Sequence, residues 1–271
     1  MSLNDAMMES VGALLRLTAD TVVMPRFAKL QPDDTEFKSV GEPVTIADRE
    51  AEAMIGRALL HLLPQARIVG EEACATDPSL IENLDKGYVW IIDPIDGTAN
   101  FAAGRAPFAL MVALISNGET IGSWILDPLS GRLCVAELGS GAWIVSERVQ
   151  TSTALTDLAS LHGILSESFV PAGGQRLIDK VRRAVGRADK TARCAGHEYP
   201  LVASGARQFA LYWRTLAWDH LPGALFLTEA GGTVSHLDGT NYRPASRQSG
   251  LLLAHNSLVH SKLLSLIKDL A

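Results

Sequence analysis

The chain has 271 residues, of which 47% are hydrophobic and 20% are charged, and its formal net charge at pH 7 is −6. This composition excludes disordered, collagen-like and coiled-coil chains, and it predicts one compact unit near the size at which a core divides into two lobes. Lys and Arg are scattered singly or in pairs, which argues against direct binding of nucleic acid or of an anionic membrane.

The cysteines Cys74, Cys134 and Cys194 lie far apart in the sequence. They therefore predict neither a zinc cluster nor a disulfide framework, and a reducing cytoplasm suits them best. The N-terminal segment lacks the basic start and long apolar core of a signal peptide. No stretch approaches the ~20 apolar residues of a membrane span.

Hydrophobic periodicity predicts two helices at the start of the chain. Apolar residues recur every three or four positions over residues 2–29, which indicates an amphipathic helix, and residues 33–35 read as a loop. A second helix follows Thr45, with Asp48 as its capping-box partner, and ends at Pro64.

After Pro64, short apolar runs broken by Gly, Asp, Pro and Ser predict strands. A hairpin turn is expected at residues 129–132. The predicted strands are residues 66–69, 88–92, 108–115, 121–126, 133–135, 142–145 and 161–165.

In the second half, helices alternate with short strands. The interval 149–156 is the predicted boundary between an N-terminal lobe, 1–150, and a C-terminal lobe, 151–271. Gly231 and Gly232 are expected to end one of the helices. The predicted helices are 175–185, 199–204, 219–230 and 258–270, and the predicted strands are 191–194, 209–213 and 250–254.

The most informative segment is residues 93–98, which read Asp-Pro-Ile-Asp-Gly-Thr directly after an apolar strand. Two carboxylates, Asp93 and Asp96, are thereby placed at the carboxyl end of a strand, where α/β proteins bind ligands. Such carboxylates favour a hard divalent cation such as Mg²⁺, and the Gly97 and Thr98 N–H groups can turn toward an anion. The alternative is a plain turn, since Asp, Pro and Gly all favour turns for local reasons.

Other acids stand at similar positions. Glu71 and Glu72 follow a predicted short strand, and Asp219 opens a predicted apolar helix. Taken singly, the first two could be a solvated surface pair, and Asp219 could be an acid that interacts with the helix dipole.

Four segments together resemble the inositol monophosphatase family of Mg²⁺-dependent, lithium-sensitive sugar phosphatases. The four segments are Val44–Glu52, residues 70–72, residues 93–101, and Trp218-Asp219 with the later Glu229-Ala230-Gly231-Gly232 sequence. They occur in family order within residues 44–232. The resemblance implies an α+β or α/β fold with layered αβαβα architecture, in which two mixed sheets lie between helix layers. It also implies a homodimer that acts on a small phosphate ester.

The resemblance implies two or three Mg²⁺ ions as cofactors. Glu71, Asp93 and the Ile95 carbonyl would bind one ion. Asp93, Asp96 and Asp219 would bind a second, while Glu71 touches a third through water. These ions would supply the positive charge that a phosphate dianion needs among so many carboxylates.

Catalytic roles carried over in the same way fall on Asp48, Thr98 and Glu71. Thr98 and Asp48 would form the pair that accepts a proton from the attacking water, and the Gly97 and Thr98 N–H groups would hold a phosphate oxygen. Asp48 also suits a purely capping role, and both roles can hold at once.

The chain departs from the family at the substrate wall, where the residues matching the substrate-binding positions are Gly196, Tyr212 and Arg214. No acid lies between Tyr199 and Trp218 to accept polyol hydroxyls, so inositol phosphate is expected to be a poor substrate. An inward Arg214 would favour a second anionic group, whereas an outward one would be a surface charge.

Several activities remain open from the sequence. Phosphatases of histidinol phosphate, of fructose bisphosphate and of adenosine 3′,5′-bisphosphate share these metal motifs. A regulatory protein linked to RNA-associated machinery is an alternative of another class, which the complete set of metal ligands disfavours. A two-metal nuclease would need a basic groove, and the charge pattern does not suggest one.

Overall fold

The computed structural model describes residues 3, 5–39, 41–152 and 157–268, and within these ranges helices alternate with strands along most of the chain. The helices are α1 (Asp5–Thr18), α2 (Ile46–Leu62), α3 (Glu71–Thr76), α4 (Thr98–Ala102), α5 (Gly174–Ala184), α6 (Ala195–Ala203), α7 (Ala217–Glu229) and α8 (Ser257–Lys268). The strands are β1 (Thr35–Ser39), β2 (Glu42–Thr45), β3 (Arg67–Gly70), β4 (Tyr88–Asp96), β5 (Ala109–Ser116), β6 (Glu119–Asp127), β7 (Arg132–Glu137), β8 (Gly141–Ile144), β9 (Glu147–Val149), β10 (His162–Leu165), β11 (Arg187–Lys190), β12 (Phe209–Tyr212), β13 (Thr233–His236) and β14 (Leu251–Ala254).

The strands form two mixed sheets and one hairpin. The large sheet has the order β3-β4-β5-β6-β7-β8-β9, in which only β3 and β4 are parallel. The small sheet has the order β11-β10-β12-β14-β13, with a parallel half and an antiparallel half. The hairpin pairs β1 with β2.

Helices lie on both faces of each sheet, which makes the predicted αβαβα layering. Helices α1 and α2 cover the outer face of the large sheet, α6 and α7 lie between the sheets, and α5 and α8 cover the outer face of the small one. Side chains alternate accordingly: in β12, Ala210 and Tyr212 belong to the inner core, whereas Phe209 and Leu211 belong to the outer one. The predicted fold class is confirmed.

The first predicted helix is shorter than its apolar pattern suggests. Residues 1, 2 and 4 lie outside the described ranges, and α1 ends at Thr18. A π-helical turn, Ala19–Val23, follows, and the Met24 N–H donates to the Ala19 carbonyl at 2.8 Å. From Met24 to Lys29 the chain forms turns rather than a regular helix. Its apolar side chains Met24 and Phe27 still pack on the core.

Two predictions in the second half are wrong in position. The strand predicted at 191–194 is Arg187–Lys190, because the Ala192 N–H donates to a buried side chain, Glu198, at 2.5 Å and so leaves the sheet ladder. The helix predicted at 199–204 starts one turn earlier, at Ala195. Pro200 lies inside this helix.

The β1–β2 hairpin and β13 were not predicted. The hairpin is mostly polar, and only Val44 and Thr45 at its end are buried, so it lacks the alternation of apolar residues that marks a strand. At the end of α7, Gly231 adopts the left-handed conformation at φ +98°, as the predicted glycine terminus requires. No helix within the described residues is long and apolar enough to cross a membrane.

The two sheets come from successive parts of the chain. The large sheet ends at Val149, and the small sheet begins at His162. Residues 153–156 of the predicted lobe boundary lie outside the described residues, and the division into two lobes remains a prediction.

Candidate active site

Three acidic side chains from different elements meet at the carboxyl end of β4. Parallel pairing sets Gly70 opposite Ile92, so Glu71 at the start of α3 lies beside Asp93. Asp219 reaches the same point from the first turn of α7. Carboxylate oxygens of Glu71, Asp93 and Asp219 all lie within 4.8 Å of one another.

This cluster is electrostatically suited to a cation. Burial, and then the neighbouring Glu71, raises the pKa of Asp93 well above its ordinary value and that of Asp219 to about 7. Oδ1 of Asp93 is buried without a hydrogen-bond partner among the described residues. A divalent cation would relieve the repulsion and would supply that oxygen with a ligand bond, so the donor set fits Mg²⁺.

Asp96 stands next to this cluster and is tied to the layer between the sheets. Its Oδ2 accepts a hydrogen bond from the Gly196 N–H at 2.6 Å. Burial, and then Asp219, raises the pKa of Asp96 well above its ordinary value. Gly196 is itself buried and does not line the cavity described below, so the structure places it behind Asp96.

Asp48 and Thr98 are in contact although they are fifty positions apart. The single hydroxyl proton of Thr98 has two acceptors within reach, Oδ1 of Asp48 at 3.1 Å and the Ile95 carbonyl at 2.9 Å. The other Asp48 oxygen accepts from the N–H and hydroxyl of Thr45 at 2.8 and 2.6 Å, so Asp48 caps α2 as well. Burial raises the pKa of Asp48 to about 7.

The turn that carries Glu71 is held by Glu52, for which no role was predicted. The Glu52 carboxylate accepts from the Glu72 N–H at 2.7 Å and from the Ala73 N–H at 2.9 Å. A Cβ on Gly70 would stand 2.2 Å from this carboxylate, so only glycine fits there. Lys38 of β1 donates to Glu71 at 2.9 Å and to Glu72 at 2.6 Å.

The acids form the floor of a cavity of about 380 Å³. Its lining includes Asp93, Ile95, Asp96, Gly97, Thr98, Glu71 and Asp219. The lining also contains Tyr212, Arg214 and Phe169, which form the substrate wall, together with Arg193 and Glu42. The predicted metal, phosphate and proton-transfer residues are therefore brought to one place, Asp48 through its contact with Thr98.

Arg214 lines this cavity and has two partners. Its guanidinium forms an ion pair with Glu42 and lies over the Phe169 ring, 4.0 Å from the ring centroid. Arg193 also lines the cavity and is exposed. It forms no ion pair with another described residue. Arg193 is therefore a second candidate for binding an anionic group, one that the sequence analysis did not consider.

Glu198 was not predicted as a site residue, because it lies one position before the interval Tyr199–Trp218. Its buried carboxylate accepts hydrogen bonds from the Thr191 hydroxyl at 2.9 Å, the Ala192 N–H and the Tyr212 hydroxyl. It does not line the cavity. A charged residue within an otherwise apolar helix was the available signal.

These pKa shifts predict how pH affects the stability of the metal-free protein. A carboxyl with a raised folded-state pKa keeps its proton when the unfolded chain has lost it, so the free energy of unfolding falls as pH rises. We expect the thermal midpoint of EDTA-treated protein to rise as pH is lowered from about 8.5 to about 7. This interval is chosen because it lies above the range in which the histidines of the unfolded chain titrate. Saturating Mg²⁺ should flatten this dependence. A midpoint that falls over the same interval would contradict the prediction.

The fold and the carboxylate cluster together define a class of layered, metal-dependent enzymes. The chain belongs to the inositol monophosphatase family, whose sequence model matches residues 6–270. Members of this family are metal-dependent, usually on Mg²⁺, and act as phosphatases.

Individual relatives differ in their described roles. A Thermotoga maritima fructose-1,6-bisphosphatase/inositol-1-monophosphatase is 30% identical over 237 residues, which span 87% of this chain and 85% of that protein. The Nus factor SuhB of Pseudomonas aeruginosa is 28% identical over 261 residues, or 93% and 92% of the two chains. The solved structure of a Thermotoga maritima IMPase superposes with a TM-score of 0.82 at 27% identity, covering 98% of each chain.

Proposed function

We propose that this protein is a Mg²⁺-dependent phosphomonoesterase that hydrolyses a small sugar or polyol phosphate by attack of water. The observation that carries the proposal is the convergence of Glu71, Asp93 and Asp219 within 4.8 Å, beside Asp96, on the floor of one cavity. Such a floor repels a phosphate dianion unless cations intervene, which is why the metal and the substrate class are proposed together.

Five groups are proposed as metal ligands. Glu71, Asp93 and the Ile95 carbonyl would hold one Mg²⁺; Asp93, Asp96 and Asp219 would hold a second; and Glu71 would reach a third through water. Bound there, the ions offset the charge of the phosphate and make water more acidic. These carboxylates are buried close together in the metal-free protein, which gives a strong electrostatic reason for Mg²⁺ to bind between them.

The remaining catalytic work is assigned to Asp48, Thr98 and the turn at Gly97. The Thr98 hydroxyl would accept the proton of the attacking water as it passes its own proton to Asp48, which it already contacts at 3.1 Å. Gly97 adopts φ +86°, and the first N–H groups of α4 have no partners within the helix. The Gly97 and Thr98 N–H groups would therefore hold a phosphate oxygen.

The substrate wall is proposed to consist of Tyr212 and Arg214, with Gly196 contributing indirectly through its hydrogen bond to Asp96. Arg214 and Arg193 at the cavity favour fructose bisphosphate or adenosine 3′,5′-bisphosphate as alternative substrates, and histidinol phosphate is a further one. The Thermotoga relative, named for fructose bisphosphate as well as inositol phosphate, supports this alternative.

A regulatory function with weak phosphatase activity is the candidate of another class. The relative named Nus factor SuhB supports it. The complete acid cluster and the net charge of −6 favour an enzyme that binds no nucleic acid directly. By family analogy we propose a cytoplasmic homodimer that does not bind membranes.

A phosphate-release screen with Mg²⁺ tests the proposal. The substrates are inositol 1-phosphate, histidinol phosphate, fructose 1,6-bisphosphate and adenosine 3′,5′-bisphosphate, each with and without EDTA. We expect release from at least one of them, abolished by EDTA. A protein that releases phosphate from none of the four would be an interaction protein rather than this phosphatase.

Lithium should inhibit the reaction. A small monovalent cation suits the hard oxygen ligands of the second position, formed by Asp93, Asp96 and Asp219, but brings half the charge of Mg²⁺. We expect lithium chloride to lower the steady-state rate much more than sodium chloride at the same concentration. Equal effects of the two salts would argue against a second cation position of this kind.

A further inference from the structure

Phe169 is an exposed aromatic residue on the wall of the active-site cavity. It lies in the segment that follows β10, and 54% of its surface is exposed. It lines the same cavity as the acidic floor. A large apolar side chain that stays exposed inside a polar site indicates a surface that a ligand contacts.

The backbone of Phe169 is held in a conformation that is unfavourable for a bulky residue. Its φ is +59°, in the left-handed region that favours glycine. The preceding segment is anchored by the Trp213 indole N–H, which donates to the Ser166 carbonyl at 2.9 Å. Strain of this kind persists where the surroundings enforce it, and it clusters at ligand-binding positions.

Arg214 covers one face of the Phe169 ring. The guanidinium carbon lies 4.0 Å from the ring centroid, and the same guanidinium is paired with Glu42. Since one face is covered and more than half of the side chain remains exposed, ring surface is left for a molecule in the cavity. Glu42 offsets part of the charge of Arg214, and the exposed part of the Phe169 ring itself offers an apolar surface.

We propose that Phe169 stacks against a planar ring carried by the alcohol part of the substrate, which makes the substrate class phosphate monoesters that bear an aromatic heterocycle. This inference rests on the proposed phosphatase function, which places the phosphate at the acidic floor. A flat, polarisable ring matches the exposed ring surface, whereas a polyol would have to leave its hydroxyl groups unpaired there.

Two other roles for Phe169 make different predictions. If the ring served only to hold Arg214, its removal would affect all phosphate esters alike. If it served only as a contact with a second copy of the chain, its removal would change the oligomeric state and leave the choice of substrate unaltered. Stacking alone predicts an effect confined to substrates that carry a ring.

The test compares adenosine 5′-phosphate with ribose 5-phosphate, which differ only in the base. We expect the wild type to have the higher kcat/KM for the adenosine ester, and Phe169→Leu to reduce that ratio by about fivefold or more. Phe169→Tyr, which keeps the ring, should preserve it. Phe37→Leu is the matched control, because this phenylalanine is 69% exposed and does not line the cavity. An unchanged ratio in Phe169→Leu overturns the proposal, as does loss of the ratio in Phe37→Leu.

Two further measurements separate this proposal from folding and from the phosphatase function. Phe169→Gly removes the ring and relieves the backbone, so its thermal midpoint should match that of the wild type; a large fall would assign the ring to stability and overturn the proposal. Binding of adenosine, followed by the fluorescence of Trp213 and Trp218 at the cavity, needs no turnover. Binding that Phe169→Leu weakens supports stacking even if neither ester is hydrolysed, whereas no binding to the wild type refutes it.

Discussion

Asp93→Asn is expected to lower kcat by about a thousandfold or more, a loss of ~4 kcal/mol of transition-state stabilisation, while the fold remains intact. Asp93 is the one carboxylate that both proposed Mg²⁺ positions share, and its Oδ1 has no other partner among the described residues. The neutral amide should also relieve repulsion with Glu71 and Asp219, so the metal-free variant should unfold at a higher temperature than the metal-free wild type. Steady-state kinetics and thermal unfolding with and without Mg²⁺ measure these effects.

Asp127→Asn is a suitable control for that change. Asp127 also ends a strand of the large sheet, but its carboxylate accepts bonds from Leu129 and Ser130 in a hairpin turn and does not line the cavity. We expect near-normal turnover and a normal Mg²⁺-dependent rise in thermal midpoint. Retention of a tenth of the wild-type kcat in Asp93→Asn would show that Asp93 is not a shared metal ligand.

The second large effect concerns the choice of substrate. We expect kcat/KM for fructose 1,6-bisphosphate to exceed that for inositol 1-phosphate by about tenfold or more, the order of one or two lost charge-assisted hydrogen bonds. The Glu198 carboxylate is outside the cavity and bonded to Tyr212, and the Glu42 carboxylate is engaged by Arg214. Neither is free to accept bonds from polyol hydroxyls.

Single substitutions identify the cation that binds the second phosphate. Arg214→Ala and Arg193→Ala are each expected to narrow the preference for the bisphosphate, and Glu42→Gln should widen it by removing the charge that offsets Arg214. If the ratio of kcat/KM for the two substrates is unchanged in one of the arginine variants, that arginine does not bind the second phosphate. A wild-type preference for inositol 1-phosphate would refute the argument for both arginines.

Much of the fold was predictable because it depends on local patterns. β4 and β5 are apolar along nearly their whole length, and α2 and α7 carry helix start or stop signals that act within a few residues. The β1–β2 hairpin was missed because it is mostly polar and buries only Val44 and Thr45, so no alternating apolar pattern marks it. The displaced strand before Thr191 was missed because the Glu198 carboxylate, six positions further along the chain, accepts a hydrogen bond from the Ala192 N–H in place of a sheet partner.

The sequence by itself predicted which residues would bind metal and phosphate, because Asp93, Asp96, Gly97 and Thr98 lie at a single strand end whose pattern is local. Only the tertiary structure decided how the substrate wall is built. Glu198 of helix α6 reaches Tyr212 of strand β12, and Arg214 pairs with Glu42 from a hairpin far away in the chain while its guanidinium lies over the Phe169 ring. Contacts between residues so far apart follow from how layers pack, and no pattern of neighbouring residues encodes them.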